Sequence, residues 1–307
     1  KLFSLVKVYS EELLVFAKKN KNVIVLDADL AKDAGSYEVM LKLPKQFIEF
    51  GIAEQDMVSF GSGLAAKKFL PIFHSFSCFL STRSQEQIFN FCSENRKGIF
   101  LGALSGLIPS GPGHSHQMIR DIPLIGSMPN MLILELFSRS MIKKFFIYQK
   151  TIKKSLFIKL NNSMLTHKNF EKLTLPKAGN FLKLFKNSKS STIVICQGAD
   201  ILNEIFKIQD QLKAMNHISL FAAVWLNKIN KREIIKLNNK KIIIFQSSTD
   251  FGGYDSFLSN NILLNGCKVA KYKTISINKL PACGQNDEVL KHHNLSSTKI
   301  LKAIKNF

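Results

Sequence analysis

Three short stretches carry side chains that could meet at one chemical centre. In Phe50-Gly51-Ile52-Ala53-Glu54-Gln55 a strand-like apolar piece ends in glycine and hands over to a helix-like run whose first residue is a carboxylate. Glycine lets the backbone turn sharply, which sets Glu54 where it can face a pocket at a sheet edge; an acid in a first helical turn also serves simply to complement the macrodipole. A second stretch places Phe76 and Phe79 on a strand-to-helix turn, with Arg83 and Gln87 one turn apart on the helix that follows. Such an aromatic pair is either core packing or a stacking platform for a flat ring. The third is His114-Ser115-His116, after the Gly- and Pro-rich run 106–113. Imidazoles titrating near neutrality suit hydrogen bonding to a substrate or proton transfer, and two histidines without a third ligand nearby do not indicate a metal site. Asp27 and Asp29 end the run Asn22-Val23-Ile24-Val25-Leu26, where α/β sheets place ligand groups. Asp27 reads as a turn or cap residue, and Asp29 divides evenly between the two roles.

Bringing these stretches together takes alternating strands and helices. Helix-like periodicity over 4–19 precedes a buried strand at 22–26, and the pattern continues with strands at 46–50, 69–76, 98–104, 131–136 and 155–160. Helices are expected between them over 54–68, 79–91, from Asp121, and over 138–148. Gly61, Ser62, Gly63, Ala65 and Ala66 make one side of the 54–68 helix slim, which permits close approach of another element. Residues 161–189 turn polar and lysine-rich and read as a linker. Alternation then resumes, with strands at 191–196, 217–224, 241–246 and 267–272 and helices over 200–215, near Lys231, after Gly252-Gly253 and from Ser297. The expected fold is α/β with two doubly wound domains, 1–160 and 190–307, the second having a smaller, mostly parallel sheet.

The chain has 307 residues, 46% of them hydrophobic, enough for two buried cores. Its formal charge of +21 would suit nucleic acid if the cations clustered. They are instead scattered as lysine pairs with few arginines, so the charge reads as a solubility and steering property, and nucleic-acid binding is not the expected function. No apolar run reaches membrane-spanning length, and Glu11 and Glu12 interrupt the first residues where a signal peptide needs an apolar stretch; a cytoplasmic, non-membrane protein is expected. The five cysteines, Cys78, Cys92, Cys196, Cys267 and Cys283, lack any CxxC pair, which points to buried thiols rather than a disulfide framework or a zinc site.

Three blocks together carry a family resemblance. FGIAEQDMVSFGSGLAA resembles the GIAEQ helix in the pyrimidine-binding domain of transketolase-type thiamine-diphosphate enzymes. FHSFSCFLSTRSQEQI is similar to that family's TF..F...R..DQI segment, and GPGHSHQMIRDIPLIGSMPNM to its DGPTHQ...D......IPNM run. Weaker matches, VICQGAD, FQSSTDFGGYDSFL and KLPACGQNDEVLKHHNLSSTKI, extend the resemblance over nearly the whole chain, against the C-terminal half of a full-length transketolase. The resemblance implies that Glu54 activates thiamine diphosphate by bonding to the pyrimidine ring nitrogen, that Phe76 and Phe79 hold the ring with Arg83 and Asp29 nearby, and that His116 and His114 meet the substrate. His114 departs from the family, which has proline there. Pro112 replaces the family's substrate-binding Asp, Leu104 stands where sugar-phosphate transketolases carry a substrate His, and near Leu160 the phosphate-clamping Arg is absent, leaving Lys159.

No GDG run followed by acidic and Asn-bearing ligands occurs. The resemblance therefore implies a separately encoded N-terminal subunit that holds the diphosphate and its Mg2+ or Ca2+, in an assembly of two plus two chains. The implied reaction is transfer of a two-carbon ketol unit from a ketose to an aldehyde. Another thiamine-diphosphate subunit, of a 2-oxoacid dehydrogenase beta type or of a pyruvate-condensing synthase, and an inactive binding homologue are the alternatives.

Overall fold

The computed structural model describes residues 3–162, 164–165 and 167–307. Strands run in chain order as β1 (Phe3–Ser4), β2 (Val23–Asp27), β3 (Phe47–Glu49), β4 (Leu70–Phe76), β5 (Ile99–Ala103), β6 (Met131–Glu135), β7 (Ser155–Leu160), β8 (Met164–Leu165), β9 (Leu182–Phe185), β10 (Thr192–Gln197), β11 (Ile218–Ala222), β12 (Lys241–Thr249) and β13 (Lys271–Ile277). Between the strands of the first half lie helices α1 (Leu5–Lys19), α2 (Ala31–Ala34), α3 (Tyr37–Lys42), α4 (Glu54–Ala66), α5 (Ser77–Arg83), α6 (Gln85–Ser93), α7 (Asp121–Gly126) and α8 (Arg139–Tyr148). The second half carries α9 (Ala199–Lys207), α10 (Gln209–Lys213), α11 (Lys231–Ile235), α12 (Tyr254–Leu264), α13 (Asn286–His292) and α14 (Ser297–Lys305).

The first sheet is six-stranded in the order β3-β2-β4-β5-β7-β6, and every pair in it is parallel. Strands β5, β6 and β7 are buried throughout, the expected state of parallel strands covered on both faces. The chain leaves β2 first to β3 on one side and then to β4 on the other. This reversal opens a crevice at the carboxyl ends of β2 and β4, where ligands bind in open α/β sheets. The second sheet, β13-β12-β10-β11-β9, is parallel except for β9, which pairs antiparallel with β11.

Several elements differ from the sequence reading. The polar stretch 161–189 supplies β8, a single 3-10 turn at Lys168–Lys172, and the edge strand β9. The expected helix over 79–91 is two helices meeting at Ser84, where the backbone leaves helical values (φ −105, ψ 26). Hydroxyls of Ser81, Thr82 and Ser84 each bond back to a carbonyl four residues earlier, a habit that bends helices. The last strand lies at 271–277 rather than 267–272. Gly266 takes a left-handed φ of 64° and the Cys267 N–H caps α12 on the Ile262 carbonyl, so these residues close a helix before the strand begins. The helices at 31–34, 37–42 and 286–292 were not expected. Of the cysteines, Cys78, Cys92 and Cys196 are buried, Cys267 is half-buried and Cys283 is exposed.

The slim side of α4 has one demanding position. A Cβ on Gly61 would lie 2.2 Å from Phe73 Cε1 and 2.9 Å from Leu26 Cδ1, whereas one on Gly63 meets nothing within 4 Å. Gly61→Ala is expected to cost about 2 kcal/mol or more by overpacking α4 against the sheet, and Gly63→Ala to be neutral or stabilising by up to ~1 kcal/mol. Thermal melts of the two variants distinguish them; equal melting temperatures would contradict this packing.

The edge strand β6 joins the two halves. Its Glu135 and Leu134 meet the segment after β11, with Glu135 N–H donating to Val224 O and Leu134 bridging Trp225. The Glu135 side chain, 1% exposed, accepts from Gln197 Nε2 at 2.9 Å and from the Ala199 N–H at the start of α9 at 2.8 Å. Burial, foremost, raises its pKa to about 7, with Asp200 adding to the rise and Lys159 opposing it. The folded state thus binds this proton more tightly than the unfolded chain, so its contribution to stability is full at low pH and fades as pH rises from about 4.5 through 7. One such proton gives a slope of at most about 1.4 kcal/mol per pH unit. Buried Asp27, also raised to about 7 mainly by burial, adds in the same direction. Urea midpoints measured across this window should fall with pH less steeply in Glu135→Gln; an unchanged slope would rule out Glu135 as a contributor.

Candidate active site

Glu54 is the first residue of α4, and Gly51 makes the turn before it with a left-handed φ of 64°. Ala53 at the N-cap offers no capping side chain, and Glu54 does not fold back onto its own helix. Its carboxylate, 2% exposed, instead accepts from Ser75 Oγ at 3.1 Å and takes Arg83 Nη1 at 3.0 Å on Oε1 and 3.1 Å on Oε2. The macrodipole reading accounts for none of these bonds. The carboxylate is buried at the crevice between β2 and β4, anchored to the end of β4 on one side and to α5 on the other.

Around it lie the aromatic groups. Phe76 ends β4 and Phe79 lies in the first turn of α5, so their ring centroids come within 5.9 Å, and both remain half-buried. The His116 ring stands edge-on to both, 6.0 Å from Phe76 and 5.2 Å from Phe79, with Nδ1 3.0 Å from Ser115 Oγ. Arg83 closes the group: its guanidinium carbon lies 3.9 Å from the Phe79 centroid while its Nη1 holds Glu54. Glu54, Phe76, Phe79, Arg83 and His116, drawn from three separate stretches, are therefore one contiguous cluster. Chemically it offers a buried carboxylate beside aromatic faces, with an imidazole at the open side.

Other predicted residues stand apart. Among the described residues no hydrogen bond or ring contact joins His114 or Asp29 to the cluster. His114 is exposed on its loop, as is Pro112. Asp29, exposed with φ 60°, lies at the end of β2 and gives its N–H to Glu49 Oε1. Asp27 is structural: its two oxygens take the Leu30 N–H at 2.7 Å and Ser36 Oγ at 2.5 Å. Leu104 is buried in a left-handed conformation, φ 57°, its N–H held by Asn162 Oδ1. Lys159 does not face a substrate channel. It is wholly buried, its Nζ 2.6 Å from Asp121 Oδ1.

The sequence reading missed two residues of the site. Ser75, the donor to Glu54, lies between His74 and Phe76 at the end of β4, and alternation along the strand would have aimed it to the opposite face from His74. Glu49 gathers the N–H groups of Asp29, Phe50 and Gly51 on one oxygen at 2.8, 3.0 and 2.9 Å, and so fixes the turn that presents Glu54. A charged residue ending a strand just before the glycine turn was its signal.

A model of the transketolase pyrimidine-binding domain matches residues 2–158. The "Putative transketolase C-terminal section" of Methanocaldococcus jannaschii is 26% identical over 306 residues, covering 97% of this chain and 94% of that protein. The 1-deoxy-D-xylulose-5-phosphate synthase of Natranaerobius thermophilus is 23% identical over 310 residues, which are 98% of this chain and 48% of the synthase. The chain thus spans about half the length of that relative. Among solved structures, one described as a split gene transketolase, inactive beta4 tetramer, superposes with a TM-score of 0.84 at 19% identity, over 98% of this chain and 96% of the other. The transketolase of Campylobacter jejuni gives 0.82 at 17% identity, over all of this chain and 47% of its own length. At such identities these likenesses speak to the fold alone, whereas the family model covers half of the chain and encloses the whole Glu54 cluster. This chain belongs to the transketolase family and carries its pyrimidine-binding domain.

Proposed function

We infer that this chain forms the pyrimidine side of a thiamine-diphosphate site in a two-chain transferase, and that a separate N-terminal-type chain holds the diphosphate and its metal. The observation that carries this is the buried Glu54 carboxylate beside the Phe76, Phe79 and His116 rings. The residues present fit an aminopyrimidine. A planar N–H donor, the Arg83 guanidinium, already lies against Phe79 and bonds to Glu54, so the cluster accommodates a flat group making both contacts. Thiamine diphosphate, when bound, supplies the chemistry for breaking and making a carbon–carbon bond beside a carbonyl. Glu54 would be the acid that bonds to the ring nitrogen, through oxygens now taken by Arg83 and Ser75. Ser75 fixes the carboxylate's orientation, and the two phenylalanines hold the ring and exclude water. His116, on the open side, moves or holds a proton on the substrate.

An exposed apolar rim beside Glu54 supports a partner at this edge. Ile52 is 73% and Phe60 46% exposed, and Phe60 packs on Phe50 with ring centroids 5.4 Å apart. Exposed apolar side chains beside a half-built site suit an interface better than solvent.

The reaction we favour is transfer of a two-carbon ketol unit from a ketose to an aldehyde. The synthase relatives support a second reading, condensation of pyruvate with an aldehyde and release of carbon dioxide. Co-expression with a chain carrying GDG and its metal ligands, followed by assays of ketose cleavage and of pyruvate-dependent carbon dioxide release, decides between them. Activity of neither kind, with the cofactor bound, would overturn both.

A further inference from the structure

The second sheet carries a cleft unrelated to the Glu54 cluster. It measures about 510 Å³ and lies between the edge strand β13 and helices α13 and α14. Lys273 lines it from β13, Lys279 from the loop that follows, His292 and the capping His293 from the end of α13, and Lys299 and Lys302 from α14. No aspartate or glutamate is among the described residues that line it. Among the described residues none of these four lysines is ion-paired, although other lysines of the chain are, as Lys42, Lys207 and Lys236 show. Four lysines from three separate elements thus line one concavity, none of them ion-paired among the described residues.

An edge strand often carries lysine simply to discourage pairing with another chain, and that accounts for Lys273. It does not account for Lys299 and Lys302, three apart on a helix, or for Lys279 on a loop, all lining the same space. His293 is not one of the cations. Its Nε2 accepts the Ala282 N–H at 3.2 Å, so that nitrogen is unprotonated. Burial, foremost, lowers its pKa to about 4, and the neighbouring His292 and Lys279 push the same way.

We propose that this cleft is a binding site for a small oligophosphate anion, a triphosphate chain either free or carried on a nucleotide. Lysine ammoniums act as point charges on phosphate oxygens, and several of them around a concavity match a ligand whose charge is spread along a chain. The volume falls within the range of roughly 300–1,000 Å³ usual for small-molecule sites. Concavity and the absence of an aromatic stacking platform favour a small anion over a nucleic-acid strand.

Titration calorimetry of the full chain with tripolyphosphate and with ATP, in about 150 mM KCl, tests the assignment. Saturable binding at one equivalent is expected, weakened roughly tenfold or more in Lys273→Gln/Lys299→Gln/Lys302→Gln and unchanged in the charge-matched control Lys18→Gln/Lys19→Gln/Lys67→Gln. Tighter binding of ATP identifies a nucleotide, and equal binding a bare phosphate chain. Equal weakening in both triple variants, or no saturable binding by the wild type, overturns the site. So does capture of single-stranded RNA that tripolyphosphate fails to displace. Unchanged melting temperatures exclude a folding effect of the substitutions.

Discussion

In the two-chain enzyme proposed above, Glu54→Gln is expected to lower cofactor-dependent turnover by a factor of roughly 10² to 10⁴, the usual worth of a positioned acid or base. The substitution keeps the size of the side chain and one oxygen that can accept from Arg83 or Ser75. It removes the ionisable proton and the charge that pairs with the guanidinium. Stability should change little, because the pair includes an Arg83 side chain 42% exposed that water can solvate when the partner is lost. Alanine is the poorer test: it strips the buried Ser75 Oγ of the carboxylate oxygen it bonds to. Arg83→Met separates the two roles of this cluster. If Arg83 competes with the ring for Glu54, the variant should bind thiamine diphosphate at least as tightly as the wild type. If it helps to hold the cofactor, affinity should fall. Undiminished turnover in Glu54→Gln at saturating cofactor would remove Glu54 from the mechanism, whatever Arg83 does.

How much of this was legible in the sequence depends on the distance over which each feature is decided. The alternation of apolar runs with amphipathic ones is local, and it predicted both sheets to within a few residues for most strands. The glycine turn before Glu54 was equally local, since φ at Gly51 needs no distant partner. What alternation could not show is which strand edges meet. β9 reads as linker because Leu182–Phe185 is short and half-exposed, and only pairing with β11 makes it a strand. The break at Ser84 was visible in principle, as three hydroxyl residues in four positions, but helical periodicity outweighed it. Within the site, the resemblance brought forward Glu54, Phe76, Phe79, Arg83 and His116, which the fold gathers. The bond from Ser75 to Glu54 spans 21 residues and the one from Arg83 spans 29, so no local pattern announced them. Lys159 was read against a missing phosphate clamp, yet its partner Asp121 is 38 residues away and both are hidden from solvent.

That buried pair gives the largest expected loss of stability. Lys159→Met should cost about 3–5 kcal/mol, because it leaves buried carboxylates without their cation. Among the described residues Asp121 keeps hydroxyl support alone, Ser77 Oγ at 3.1 Å and Ser105 Oγ at 3.3 Å on Oδ2. Glu135 and Asp200, whose ionisation Lys159 also favours, lose the same charge at the junction with the second half. The damage should reach the site. Ser105 opens the loop that carries His116, and Asn161, two residues after Lys159, holds that loop through the carbonyls of Ser105 and Ile108 at 2.8 and 2.9 Å. Lys159→Met is therefore expected to lose activity before it unfolds, with the loop that presents His116 loosened while Glu54 keeps its bonds to Ser75 and Arg83. A double-mutant cycle provides the measurement. Adding Asp121→Asn to Lys159→Met removes the stranded charge, so the pair should lose less than the sum of the singles, with a coupling of about 0.5–3 kcal/mol in urea unfolding. Strict additivity would mean that the two groups do not stabilise each other, and that the fold tolerates the buried lysine for another reason.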